Sequence, residues 1–217
     1  MPETQKYTPV NIYETYVLGN PSFVLISDLS ETELAQLALL YMSIFNADNR
    51  QLVKAKLIEK GRTQPEGLWN ELPWTGESAL QQIIKWKDLD RITIVAKDQN
   101  QEATTVLGAS TARQTNKQFF IDRGLPVPNI QIEEFWYITD TLKRPVGLPL
   151  GKTLREKLLN TITQRDGVQF PIYFGARTVN PKMVEIWRKA RWNITECPDP
   201  KFPIPKRYCG TYLKYEK

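Results

Sequence analysis

The stretch KRPVGLPLGKTLREKLL, residues 143–159, decides how the chain is read. It places two prolines and two glycines directly before a run in which Leu154, Leu158, Leu159 and then Ile162 recur on one apolar side at helical spacing. A helix therefore begins within it. Its N-terminus exposes unpaired backbone N–H groups and the positive end of the helix dipole, so a Gly-rich approach suits a phosphate group. The preceding segment, IQIEEFWYITDTL (130–142), reads as a strand.

The question is whose phosphate. GLPLGKT (147–153) nearly spells the nucleotide-binding P-loop, with Lys152 and Thr153 in place, but it is one residue short. Pro149 also removes one N–H from a cradle that depends on consecutive donors. The preceding strand, with charged groups and a late place in the chain, is equally unlike a P-loop strand. The pyrophosphate of coenzyme A is the alternative.

Working outward, SFVLISDLSETELAQLALLYMSIFN (22–46) begins as a short apolar strand and turns into a helix at Ser30, which has the capping-box spacing with Glu33. Leu34, Leu37, Ala38, Tyr41, Ile44 and Phe45 form its buried stripe. Residues 50–60 and 78–89 read as further helical pieces around GRTQPEGLWNELPWTGES (61–78), which is rich in turn formers and tryptophan. That connection either lines a substrate site or anchors a long loop through its tryptophans. RITIVAK and TTVLGASTARQ, joined by DQNQEA, predict an antiparallel hairpin. After the strand and helix of the opening stretch come a strand FPIYFGARTV (170–179), a helix NPKMVEIWRKARW (180–192) with an Asn cap followed by Pro, and a terminal strand RYCGTYLKYEK (207–217). The order predicts an α/β protein of the α+β kind: a mixed, mostly antiparallel central sheet with flanking helices. One domain is expected over 23–217, after an N-terminal extension of 1–22.

The 41% hydrophobic and 24% charged composition is that of a globular chain, and no apolar run is long enough to span a membrane. The N-terminus lacks a secretory layout, which predicts a cytoplasmic protein. The net charge of +5 is spread among alternating acids and bases, so neither nucleic acid nor a membrane is an expected partner. No histidine is present, which excludes the usual zinc site and a Ser-His-Asp triad; no metal is expected. Cys197 and Cys209 sit on the two presumed final strands and could be neighbours, but with no base to activate either they are read as buried apolar filler.

From about residue 23 to 215, the order of elements resembles the GNAT superfamily of acyl-CoA N-acyltransferases. That family has a strand, a turn approximating R/Q-x-x-G-x-G/A, and a helix that receives the pyrophosphate. VGLPLGKTL at 146–154 is similar to it, with Gly147 and Gly151 retained. A second family segment is echoed by VNPKMVEIWRKARW (179–192), where Asn180, Met183, Ile186, Trp187 and Trp192 fall at corresponding steps. The chain departs from the pattern in four places. Val146 stands for the family Arg or Gln, unless Arg144 substitutes from two residues earlier, and Pro149 stands for a Gly. Arg191 replaces a usual Gly, and Trp187 replaces the Tyr that serves many relatives as general acid. An indole N–H is far too weak for that task, leaving Trp187 to donate a hydrogen bond or to pack its helix on the sheet.

The resemblance implies an acetyl-CoA-dependent N-acetyltransferase, with acetyl-CoA as cosubstrate and an amine-bearing acceptor, a small molecule rather than a protein. Coenzyme contacts are implied at Thr139, Thr141, Arg144, Gly147, Leu148, Leu150, Gly151, Lys152 and Asn180. It puts the general base on the upstream part of the same strand, at Glu133 or alternatively Glu134; alternation allows only one of them to face the cleft. Both carboxylates could instead be solvated or recognise a cationic amine. Asp140 is expected to point away from the pyrophosphate. The alternative function is a non-catalytic GNAT-fold protein that binds coenzyme A or another ligand, in keeping with the departures at Val146, Pro149 and Trp187.

Overall fold

A computed structural model of the chain describes residues 21–59, 74–100, 103–143, 149–178, 181–197 and 207–216. Seven strands form one sheet in the order β1-β2-β3-β4-β5-β7-β6. They are β1 (Ser22–Leu25), β2 (Arg91–Asn100), β3 (Ala103–Thr115), β4 (Glu134–Lys143), β5 (Ile172–Thr178), β6 (Asn193–Glu196) and β7 (Tyr208–Lys214). Every neighbouring pair is antiparallel except β4 and β5. The mixed, mostly antiparallel sheet read from the sequence is therefore the one observed. The N-terminal extension, apart from the start of β1, lies outside the described residues.

Among the described residues five α-helices flank the sheet: α1 (Glu31–Glu59), α2 (Gly76–Ile84), α3 (Lys117–Asp122), α4 (Leu150–Thr163) and α5 (Pro181–Lys189). Ser30 and Glu33 close the expected capping box, the Ser30 hydroxyl accepting from the Glu33 N–H at 3.3 Å and the Glu33 carboxylate from the Ser30 N–H at 2.8 Å. Glu33 also holds Lys97 of β2 at 2.8 Å. Burial works against its charge, but Lys97 and Ser30 together bring its pKa below the ordinary value.

Leu154, Leu158 and Ile162 of α4 pack with Trp187 and Trp192 on one face of the sheet, over Ile138, Phe174 and Ala176. On the other face α1 and α2 cover β1 to β3 through Leu37, Tyr41, Ile83 and Trp86. The third cluster, around Phe120, Phe135 and Tyr173, lies on that same second face beneath α3.

Three features differ from the sequence reading. Residues 50–59 continue α1 rather than forming a separate piece, since no Gly or Pro interrupts 31–59. Between β3 and β4, where the sequence reading placed no helix, Asn116 caps the short helix α3 by accepting from the Phe119 N–H, and Phe120 is fully buried. Cys197 and Cys209 are not separate filler: they form a disulfide, with Cα atoms 5.7 Å apart, across the start of β7. Their buried surroundings were read correctly, but without strand register the pairing was not visible.

Candidate active site

β4 loses a neighbour partway along its length. It pairs in parallel with β5 from Glu134 with Ile172 to Ile138 with Ala176, and no further. β5 goes on to Thr178 while staying paired with β7, and β4 goes on to Lys143 while staying paired with β3. Beyond Ile138 the two strands splay, so among the described residues the backbone edge of β4 from Thr139 to Lys143 has no strand partner on the β5 side. Unpaired strand edges seek hydrogen-bonding partners, and this one opens next to a helix N-terminus.

The splay begins at a bulge. Thr111 of β3 opposes Asp140 while the next residue, Ala112, opposes Ile138, leaving Thr139 as the extra residue. Its hydroxyl donates to the Thr111 carbonyl at 3.4 Å. The bulge also changes which face each later side chain meets. Ile138 belongs to the core under α4, whereas Leu142 belongs to the core under α1 and α2. Asp140, two residues before Leu142, therefore faces away from α4, as the sequence reading expected. It lies level with Thr111 and Thr93, whose hydroxyls bond at 2.8 Å, and Thr93 donates to the Trp86 carbonyl on that face. Thr141 points the other way, its hydroxyl 2.9 Å from that of fully buried Ser110.

α4 starts at the same end of the sheet. Pro149 is its N-cap and offers no side-chain cap; its carbonyl accepts from the Lys152 and Thr153 N–H groups at 3.0 and 3.2 Å. Among the described residues the N–H groups of Leu150 and Gly151 have no partner, the situation that suits an anion. Two cations stand beside them. A Cβ on Gly151 would lie 3.4 Å from Cδ of Lys143, so this last residue of β4 lies across the helix start. Lys152 is exposed, 3.7 Å from Glu156. One turn in, Arg155 is largely buried between α4 and α5, donating to the Gly151 carbonyl at 3.3 Å and contacting the Met183 sulfur at 2.8 Å. Burial pushes its pKa down. The sequence reading missed Lys143 and Arg155, because only the fold shows that the end of β4 and the side of α5 meet the first turns of α4. Arg144, Gly147, Leu148 and Asn180 lie outside the described residues.

Glu133 and Glu134 sit at the opposite end of β4, about 16 Å of extended chain from the bulge. Glu133 is exposed and accepts from Gln131 at 2.8 Å. Glu134 accepts from the indole N–H of fully buried Trp136 at 2.8 Å. The structure thus brings Thr139, Thr141, Leu150, Gly151 and Lys152 together at the splay, and neither glutamate joins them.

Asp140 does. Burial raises its pKa from 3.8 to about 6, opposed by a hydrogen bond from Thr139 and the charge of Arg91. Tyr137 shares its face, and burial likewise raises the phenol pKa, so Tyr137 stays protonated at neutral pH; Arg177, Arg123 and Arg207 pull in the other direction. Trp187 is buried with its indole against β7, where a Cβ on Gly210 would come within 2.6 Å of the ring, and it stacks on Trp192 with centroids 5.8 Å apart. Packing is the role its surroundings describe. At Arg191, where the resemblance has a glycine, φ is 60°, a left-handed helix exit that costs a non-glycine residue on the order of 1 kcal/mol. A hollow of about 320 Å³ floored by Phe174, Trp192 and Tyr212 lies on the α4 face, level with Trp136 and away from the splay.

Neither a protein-family model nor a curated protein matches the sequence. Solved structures match in fold. Arabidopsis thaliana NAA60 in complex with a bisubstrate analogue is 12% identical, with 89% of this chain and 98% of that chain covered and a TM-score of 0.57. The NatC complex bound to Gag peptide and CoA is 11% identical, covering 92% and 100%, with a TM-score of 0.52. The PaiA N-acetyltransferase of Thermoplasma acidophilum in complex with coenzyme A is 12% identical, covering 90% and 100%, with a TM-score of 0.50. At such identities the likeness is one of fold, and the fold is that of the GNAT acetyltransferases in a divergent form.

Proposed function

We propose that the chain transfers an acetyl group from acetyl-CoA to a primary amine by direct attack within a ternary complex. The observation that carries this reading is the splay of β4 from β5 after Ile138 and Ala176, with a bulge at its root and the unpaired N–H groups of α4 at the same end. In this reading the Leu150 and Gly151 N–H groups, with Lys143 and Lys152, hold the pyrophosphate. Arg144, Gly147, Leu148 and Asn180 are assigned to the same ligand on the resemblance alone. The free edge of β4 from Thr139 to Thr141 hydrogen-bonds the pantetheine arm and meets the thioester oxygen with preformed donors. The amine then approaches from the opposite face, which must bring it within about 3 to 3.5 Å of the thioester carbon.

Asp140 takes the amine proton. It is the carboxylate at the root of the splay and on the acceptor face, and a pKa of about 6 leaves it mostly ionised at neutral pH yet basic enough to accept a proton. This replaces Glu133 and Glu134, which lie too far along the strand to reach the same amine. Tyr137, protonated and on the same face, is the available neutral donor. The complex of NatC with both Gag peptide and CoA supports simultaneous binding of acceptor and coenzyme. We take the acceptor to be a small molecule. As for compartment, no helix among the described residues is long and apolar enough to cross a membrane. A reducing compartment would keep Cys197 and Cys209 as thiols, whereas their disulfide fits an oxidising one.

The non-catalytic alternative is favoured by Pro149, which lacks an N–H at the helix entrance, and by the packed indole of Trp187. Titrating the full chain with acetyl-CoA, and separately with ATP and magnesium, while following melting temperature separates the readings of the ligand. Stabilisation by acetyl-CoA alone, together with thiol release from acetyl-CoA when amines are added, is the expected result. Stabilisation without thiol release across an amine panel would leave the binding protein.

A further inference from the structure

We propose that the acceptor is an amine carrying a carboxylate, and that Arg123 reads that carboxylate beside the mouth of the splay. The inference rests on the acetyltransferase reading and names the acceptor class of the same site.

Arg123 follows α3 as its C-terminal cap. Its guanidinium lies 3.7 Å from the centroid of the Phe119 ring and 5.7 Å from that of Tyr137, and the two rings meet edge to face at 5.2 Å. Aromatic contact fixes the plane of a guanidinium while leaving its edge donors available, the arrangement suited to bidentate capture of a carboxylate. No described carboxylate takes that role. The neighbouring Asp122 accepts instead from the Gln118 side-chain amide at 2.7 Å, back along α3. Arg123 is exposed on the acceptor face, above the strand residue that stands three places before Asp140.

Further arginines act on the same ring. Arg177 is the first β5 residue past the last pair with β4, and its alternation with Gly175, which meets the Phe120 ring, places it on the acceptor face. The fields of Arg177, Arg123 and Arg207 all act on Tyr137, and Arg91 acts on Asp140. Arg91 and Arg113, in the row of Tyr137, are answered by Asp90 at 4.0 and 2.6 Å, so among the described residues Arg123 is the cation over Tyr137 without a bonded carboxylate, while Asp140 at the root of the splay takes the amine proton. A polycationic acceptor would meet repulsion here. An acceptor with its amine at Asp140 and a carboxylate over Tyr137 meets complementary charge at both ends.

The test is thiol release from acetyl-CoA by the full chain, using amino acids and dipeptides each paired with its own C-terminal amide. The amide has the less basic amine, which is the more deprotonated near neutral pH, so a preference for the acid cannot come from amine basicity. The expected result is a kcat/KM at least about ten-fold higher for the acid than for its amide, the factor a charge-assisted hydrogen bond supplies. Arg123→Ala should reduce that ratio to near one by raising KM for the acid, and Arg123→Lys should restore only part of it. Equal or faster acetylation of the amides, or of polyamines, would overturn the proposal, as would a ratio unchanged in Arg123→Ala. No turnover of any carboxylated amine while acetyl-CoA still raises the melting temperature would overturn it too. Absence of stabilisation by acetyl-CoA would instead overturn the acetyltransferase reading beneath it.

Discussion

β4 carries carboxylates at both ends, and the two ends behave differently. At the paired end, Glu133 and Glu134 sit beside a continuous sheet, one exposed to solvent and the other bound to the Trp136 indole. At the splayed end, Asp140 is half-buried beside a bulge, with a pKa lifted to about 6. The residue types are nearly the same. What differs is the neighbouring strand: where β5 stays, the backbone is satisfied and the carboxylate is solvated or structural, and where β5 departs, an unpaired strand edge and a perturbed carboxylate coincide. In the proposed reading, chemistry on this strand follows the loss of a partner more closely than it follows the identity of the side chain.

Removing the charge at the splayed end is the strongest way to break that contrast. Asp140→Asn should lower kcat/KM by about 10² to 10³-fold, the worth of a positioned general base. The parent's activity should rise with pH through about 6, and the variant should lose that limb. Stability should move the opposite way. The folded state holds the Asp140 proton more tightly than the unfolded chain, so burial of the charge costs nothing below pH 4. The cost grows between pH 4 and 6 and stays at about 3 kcal/mol above that. Asp140→Asn should therefore melt higher than the parent at pH 7.5 and equally at pH 4, as scanning calorimetry at the two pH values would show. A variant that is inactive and also less stable at pH 7.5 would point to a structural role.

Next to the splay, Lys143→Ala should raise the KM for acetyl-CoA by about three- to ten-fold with kcat little changed, because an exposed lysine near the helix start supplies a single charged contact to phosphate. An unchanged KM would mean that Lys152 and the N–H groups hold the pyrophosphate without it. Trp187→Phe tests the position where the resemblance has a general acid. It should cost roughly 1 to 2 kcal/mol in denaturant titration, by opening space against Gly210 and Trp192, while kcat stays within about two-fold. A large fall in kcat would return the indole N–H to the chemistry.

Much of the fold was legible because its signals are local. Ser30 with Glu33, the alternation in β2 and β3, and the stripe of Leu154, Leu158 and Ile162 each declare an element within a few residues. The helix start at Leu150 was legible for the same reason, Gly151 and Pro149 being neighbours in sequence. The bulge at Thr139 was not, since it exists only in the register between Thr111 and Asp140, some thirty residues apart. Without the bulge, strict alternation gives no reason to separate Asp140 from Ile138, and attention falls on the two adjacent glutamates instead. The same limit hid Lys143 from Gly151, Arg155 from Met183 and Cys197 from Cys209. Each is a contact between elements rather than a pattern within one.

The paired end of β4 supplies the control. Glu134→Gln keeps an acceptor oxygen for the Trp136 indole, so it should leave turnover within about two-fold and stability within about 1 kcal/mol, the charged hydrogen bond giving way to a neutral one. Glu134→Leu removes the acceptor altogether and strands a donor on a side chain that is otherwise fully buried, which should cost about 1 to 3 kcal/mol with activity per folded molecule still unchanged. Measured together, the pair asks whether this carboxylate matters as an oxygen or as a charge. If Glu134→Gln alone removed turnover while melting like the parent, the proton would be taken at the closed end of the strand and on the α4 face, away from Tyr137 and Asp140. Equal turnover in both variants, with only the leucine melting early, would make Glu134 a positioning acceptor for Trp136 and leave the splayed end as the place where the two carboxylate environments diverge.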